Sequence, residues 1–85
     1  MTTFTHTIKD PMGLHARPAA ALVKACAAYS SAVTVSCGAA KADAKRLMAV
    51  MRLGAKNGAE LAFTVEGTDE GTAAAGLQAF LAENL

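Results

Sequence analysis

Three short runs of this chain alternate apolar and polar residues, and the alternation limits the fold more than any other feature. In Thr2 to Lys9, Phe4, His6 and Ile8 alternate with Thr3, Thr5 and Thr7. In Ala32 to Cys37, Val33, Val35 and Cys37 share one side, as Leu61, Phe63 and Val65 do in Leu61 to Glu66. A period of two puts successive side chains on opposite faces of a strand. Each strand therefore has one face to bury and one to leave in water. Parallel strands of α/β folds are apolar on both faces, so the pattern predicts an antiparallel sheet covered by helices on one side.

The remaining segments supply the cover. A helix is expected from about Ala16, with Pro18 in its first turn, where a missing amide costs nothing. Ala19, Leu22, Val23 and Cys26 form its apolar stripe, and Tyr29-Ser30-Ser31 ends it. Ala40 to Asp43 reads as a weak strand. Lys45 to Leu53 reads as a short helix closed by Gly54, and Asn57-Gly58 as a turn. A last helix is expected from Glu70 to Asn84, burying Ala74, Leu77 and Leu81. The element order is βαββαβα, an α+β fold.

With 85 residues the chain has room for one domain, taken as 1–85. Hydrophobic residues make up 53% of it, but many are alanine. The core must then rest on Phe4, Ile8, Leu22, Val23, Val33, Val35, Leu53, Leu61, Phe63, Val65, Leu77 and Leu81. The net charge of +1 lacks the basic excess of a nucleic-acid binder. No apolar run approaches the roughly 20 residues of a membrane helix, and the N-terminus lacks signal-peptide features. A cytoplasmic monomer without membrane insertion is expected. Cys26 and Cys37 have neither metal-ligand nor redox-motif spacing, so they read as reduced thiols, with a disulfide as the alternative. No nucleotide-binding glycine motif and no metal-binding cluster is visible, so neither a cofactor nor a metal is expected.

The charges are unevenly placed. Lys41, Lys45, Arg46, Arg52 and Lys56 face a single acid, Asp43, whereas Glu60, Glu66, Asp69, Glu70 and Glu83 follow without a base. This is either a pair of solvated faces or a basic docking surface for an acidic partner.

Chemistry concentrates in Gly13-Leu14-His15-Ala16-Arg17-Pro18-Ala19-Ala20. His15 falls at or beside a helix N-cap, where unpaired amides and a partial positive charge suit a phosphate. Arg17 adds a cationic fork two residues on. Histidine is a poor cap compared with Ser, Thr, Asp or Asn. The helix pole favours the neutral ring, whose free nitrogen is a nucleophile. The residues alone allow two readings: a reactive His15, or a surface histidine beside a chance arginine.

Gly13-Leu14-His15-Ala16-Arg17-Pro18-Ala19 resembles the active-site motif of the HPr family, histidine-containing phosphocarriers of the bacterial phosphoenolpyruvate:sugar phosphotransferase system. Lys45 to Gly54 resembles that family's second helix region, and Asn57-Gly58-Ala59-Glu60 its turn into the last strand. Length and element order agree over essentially the whole chain. The resemblance implies an open-faced β-sandwich: a four-stranded antiparallel sheet of order 1-4-2-3 with three helices on one face. It implies that Enzyme I phosphorylates His15 on Nδ1 and that the phosphoryl group passes to IIA components of sugar permeases. Phosphate contacts would come from Ala16, Arg17 and Pro18, with Arg17 compensating charge. Partner docking would use Ala20, Ala21, Lys24, Leu47, Met48, Met51 and Gly54, with Arg52 and Lys56 as weaker candidates. Met48 and Met51 could instead fill the core.

Two positions depart from the family pattern. Many members carry a regulatory serine where this chain has Arg46, which no serine kinase can modify. Arg46 serves docking or is simply solvated. Met12 replaces a polar residue near the phosphate and cannot donate a hydrogen bond, so it is left out of the site. His6 is expected as a half-buried structural histidine. The competing functional reading is a regulatory or nitrogen-related relay of the same fold, acting through docking and phosphorylation state rather than sugar flux.

Overall fold

A computed structural model describes residues 1–85. The elements are β1 (Thr2–Thr7), α1 (Ala16–Ala27), β2 (Ala32–Cys37), β3 (Ala40–Asp43), α2 (Leu47–Met51), β4 (Glu60–Glu66) and α3 (Glu70–Asn84). The strands form one antiparallel sheet in the order β1-β4-β2-β3. The alternation decides which face is covered. Val33, Val35, Leu61, Phe63 and Val65 are each at most 1% exposed and share one core with Leu22, Cys26, Val50, Leu77 and Leu81 of the helices. On the opposite face Thr64 of β4 lies between Thr3 of β1 and Thr34 of β2. One side is thus buried under three helices and the other is open.

Central strand β4 carries the most apolar inner face, and its neighbours register on it residue by residue. Phe4 stands directly opposite Phe63, and the rings stack with centroids 4.9 Å apart and planes 10° from parallel. Such a pair adds about 0.5–1.5 kcal/mol beyond the area it buries.

The expected boundaries shift where local hydrogen bonds take over. Strand β1 ends at Thr7 rather than Lys9, because the Ile8 carbonyl accepts from the turn amide of Gly58 at 2.8 Å. Helix α2 is shorter than Lys45 to Leu53. The amides of Lys45 and Arg46 turn back onto Asp43, to its side-chain Oδ1 at 2.9 Å and its carbonyl at 3.0 Å respectively. Arg46 becomes the helix N-cap residue. Phe4 and Val23 sit half-buried at the core's edge rather than inside it. Leu14, Val50, Leu85 and six alanines, Ala19, Ala42, Ala44, Ala55, Ala73 and Ala74, complete the core instead. Buried alanines let helix and sheet backbones approach closely, which larger side chains would prevent.

Both cysteines are free thiols. Burial pushes the Cys26 thiol up to about 11, which removes the thiolate that reactivity requires. His6 is half-buried, with Nε2 shielded and without a hydrogen-bond partner. Lys45 is withdrawn from the basic surface, since its Nζ donates to the Tyr29 carbonyl at 2.8 Å just beyond α1.

Two loops at one end of the sheet are fastened by Asp69. Its carboxylate accepts from the amides of Ser30 and Ser31, each at 2.9 Å, and from the Ser31 hydroxyl. These bonds, the Ser31 hydroxyl first, hold the Asp69 carboxyl below its usual 3.8. A depressed carboxyl stabilises the fold fully above 3.8 and loses that contribution as the pH falls through the lowered folded-state value. Urea denaturation should therefore show wild type more stable than Asp69→Asn at pH 7, with the difference shrinking below pH 3.8. A constant difference across that range would contradict the account.

Candidate functional site

The loop from Asp10 to His15 is built by main-chain bonds. Asp10 accepts from the Met12 amide through Oδ1 at 2.8 Å, and its carbonyl accepts from the Gly13 amide at 2.9 Å. This is an aspartate-initiated turn. Gly13 then takes φ +70°, and a Cβ there would lie 2.7 Å from both the Ala55 oxygen and the Lys56 Cα. Only glycine satisfies both demands. Leu14 follows, 7% exposed, and its amide donates to the Ala55 carbonyl at 3.0 Å. The loop is thereby plugged into the core one residue before His15.

His15 is the N-cap residue of α1, extended at φ −100° and ψ −176°. Its carbonyl accepts the first helical bond, from Ala19 at 3.0 Å, while its side chain makes no capping bond. The amides of Ala16 and Arg17 thus have no intrahelical acceptor, and Pro18 has no amide to offer. No acidic residue lies in this first turn. The imidazole therefore shares a helix pole with two free donors, and its side chain is 34% exposed. A shallow depression of about 510 Å³ opens beside it, lined by Asp10, Met12, His15, Arg17, Pro18 and Asn84 among others. His15 Nε2 lies 4.0 Å from Asp10 Oδ2.

The docking candidates are accessible, with graded exposure. Ala20, Lys24 and Gly54 are exposed, and Ala21 is half-buried at the depression. In α2 the single buried residue is Val50. Leu47, Met48 and Met51 are exposed at 40%, 67% and 36%, so the methionines do not fill the core. Arg46, Arg52 and Lys56 are also exposed. Met12 belongs to the depression after all, with its side chain 74% exposed and its amide closing the Asp10 turn.

Sequence reasoning missed Asp10 and Asn84. Asp10 had a usable signal, because an aspartate two residues before a turn amide commonly caps it. Asn84 comes from the far end of the chain and had none.

The family model of the PTS HPr component phosphorylation site matches residues 2–83. The chain belongs to the HPr family. Phosphocarrier protein HPr of Lysinibacillus sphaericus is 39% identical over 83 residues, covering 98% of this chain and 94% of that protein. Among solved structures, HPr of Thermoanaerobacter tengcongensis superposes with a TM-score of 0.93 at 36% identity, covering 99% of this chain and 94% of that one. The histidine-containing phosphocarrier of a mycoplasma superposes at 0.92 with 30% identity, covering 96% and 93%. The βαββαβα order and 1-4-2-3 sheet are those of the HPr fold.

Within this HPr-family chain the loop depends on one glycine. Gly13→Ala must adopt an unfavourable positive φ, costing about 1–3 kcal/mol, before any clash with Ala55 and Lys56 is counted. Urea denaturation should register that loss, and a change within about 0.5 kcal/mol would mean that the loop is not anchored as described.

Proposed function

We propose that this protein is a phosphoryl relay of the phosphotransferase system, accepting from Enzyme I on His15 and delivering to IIA components during carbohydrate uptake. It acts as one unit over residues 1–85, as a covalent carrier rather than a catalyst with turnover, and it works in the cytoplasm. The observation that carries this reading is the imidazole of His15 at a helix start with two unclaimed amides and no carboxylate in the turn. A phosphoryl group on the ring brings negative charge to that pole, where the Ala16 and Arg17 amides and the Arg17 guanidinium meet it. The shallow depression suits a carrier, since the group must leave as readily as it arrives.

The α2 edge of Leu47, Met48 and Met51 supports docking. These flexible apolar side chains suit a surface that fits more than one partner, and Arg46 and Arg52 flank them in sequence. Arg46 also rules out regulation by serine phosphorylation at that position. Retention of both His15 and Arg17 favours flux over a purely regulatory role.

Incubation with phosphoenolpyruvate and Enzyme I should add one acid-labile phosphoryl group by intact mass, and His15→Ala should acquire none. Equal labelling of that variant would refute the reading. Arg17→Ala should fold normally yet transfer at least about tenfold more slowly, the loss of a charge-assisted hydrogen bond of about 1.5–3 kcal/mol. Met48→Asp should raise the KM for Enzyme I severalfold at unchanged stability. An unchanged KM would remove α2 from the docking surface.

A further inference from the structure

Asp10 holds a carboxylate against the ring of His15, and the carrier reading does not use it. The residue is tied down on several sides. Its Oδ1 accepts the Met12 amide at 2.8 Å, its carbonyl accepts the Gly13 amide at 2.9 Å, and its own amide donates to the Leu85 main-chain oxygen at 3.3 Å. With Oδ1 committed to the turn, Oδ2 is the oxygen left facing Nε2 of His15, at 4.0 Å. Both side chains are partly shielded, at 26% and 34% exposure. The other charged side chain lining this depression is Arg17 from α1, while α3 contributes the neutral Asn84. Lys56, from the segment before β4, meets the loop through its main chain under Gly13.

We propose that Asp10 is a positioning residue for phosphoryl transfer, a role that rests on the carrier reading above. Its carboxylate takes the Nε2–H of His15, so the neutral ring keeps its lone pair on Nδ1. On acceptance, that lone pair forms the N–P bond while the bond from phosphorus to the donor breaks, its electron pair leaving with the donor. The Nε2 proton stays in place, and the ring becomes a phosphorylated imidazolium. On delivery, the acceptor forms its bond to phosphorus, the P–Nδ1 bond breaks, and its electron pair returns to Nδ1. The neutral ring with Nε2–H is restored, with no proton gained or lost. Asp10 compensates the ring charge between the two steps and so steadies the phosphorylated ring until an acceptor takes the group. A contact of 4.0 Å is an ion-pair distance, and such contacts tighten when the reacting complex forms. For unit charges about 4 Å apart in a solvated site, the effect is about fivefold.

Asp10→Asn tests this, because the amide oxygen still accepts from Met12 while the charge is gone. Asp10→Ser is a second neutral variant that also supports such a turn. Nitrogen-15 NMR of the unphosphorylated His15 ring should show the Nε2–H tautomer dominant in wild type and less so in both variants. After chemical labelling with phosphoramidate, the phosphohistidine of the variants should be lost about fivefold faster at neutral pH than that of wild type. Wild-type tautomer ratios and lifetimes in variants of unchanged urea stability would overturn the role. Neither readout uses Enzyme I. A wild type that accepts nothing from Enzyme I would refute the carrier function, and the tautomer ratio would still decide what Asp10 does.

Discussion

The main chain of Gly13 and Leu14 lies directly against that of Ala55 and Lys56, and the placement of His15 depends on that contact. There is no space for a Cβ at Gly13, and the Leu14 amide is spent on the Ala55 carbonyl. Leu14 fills the core beneath. The chain therefore enters α1 from one direction only, and the residue at the entry is His15. An imidazole held there by backbone rather than by its own side chain keeps both ring nitrogens for other work. One faces Asp10 at 4.0 Å, and neither is spent on capping the helix.

The alanine-rich core serves the same arrangement. Six of the buried core residues are alanine, and α1 presents Ala19 to the interior and Ala20 to solvent. Little bulk surrounds the helix start, so the ring stays accessible within a depression rather than a cleft. The larger apolar side chains that the core does not take, Leu47, Met48 and Met51, sit exposed on α2. A short helix with only Val50 buried spends one side chain on the core and leaves these three to solvent.

Much of this was legible in the sequence. Alternation in three runs specified the covered face of the sheet, since a shift of one residue in a strand would turn every side chain over. The Gly13 to Pro18 motif located the helix start, with His15 as its N-cap residue. Strand order was not derivable from pattern alone and came with the family resemblance. What was hidden had a common cause: it depends on contacts between distant segments. Asp69 is a residue before a helix in sequence, yet in space it fastens the Ser30-Ser31 loop. Lys45 counts as a surface charge until its bond to the Tyr29 carbonyl is seen. Met12 looked irrelevant because its side chain offers no hydrogen bond, while its backbone amide helps shape the turn. Ala74 fell on the expected buried stripe of α3, but no periodic signal separates buried Ala73 from exposed Ala75.

The central claim is that the ring nitrogen of His15 turned away from Asp10 receives the phosphoryl group. Phosphorus–nitrogen coupling in NMR spectra of the nitrogen-15-labelled protein, recorded after Enzyme I has charged it, reads this directly. The account predicts a single phosphorus bonded to Nδ1 of His15. A phosphorus on Nε2, or on any other residue, would contradict it.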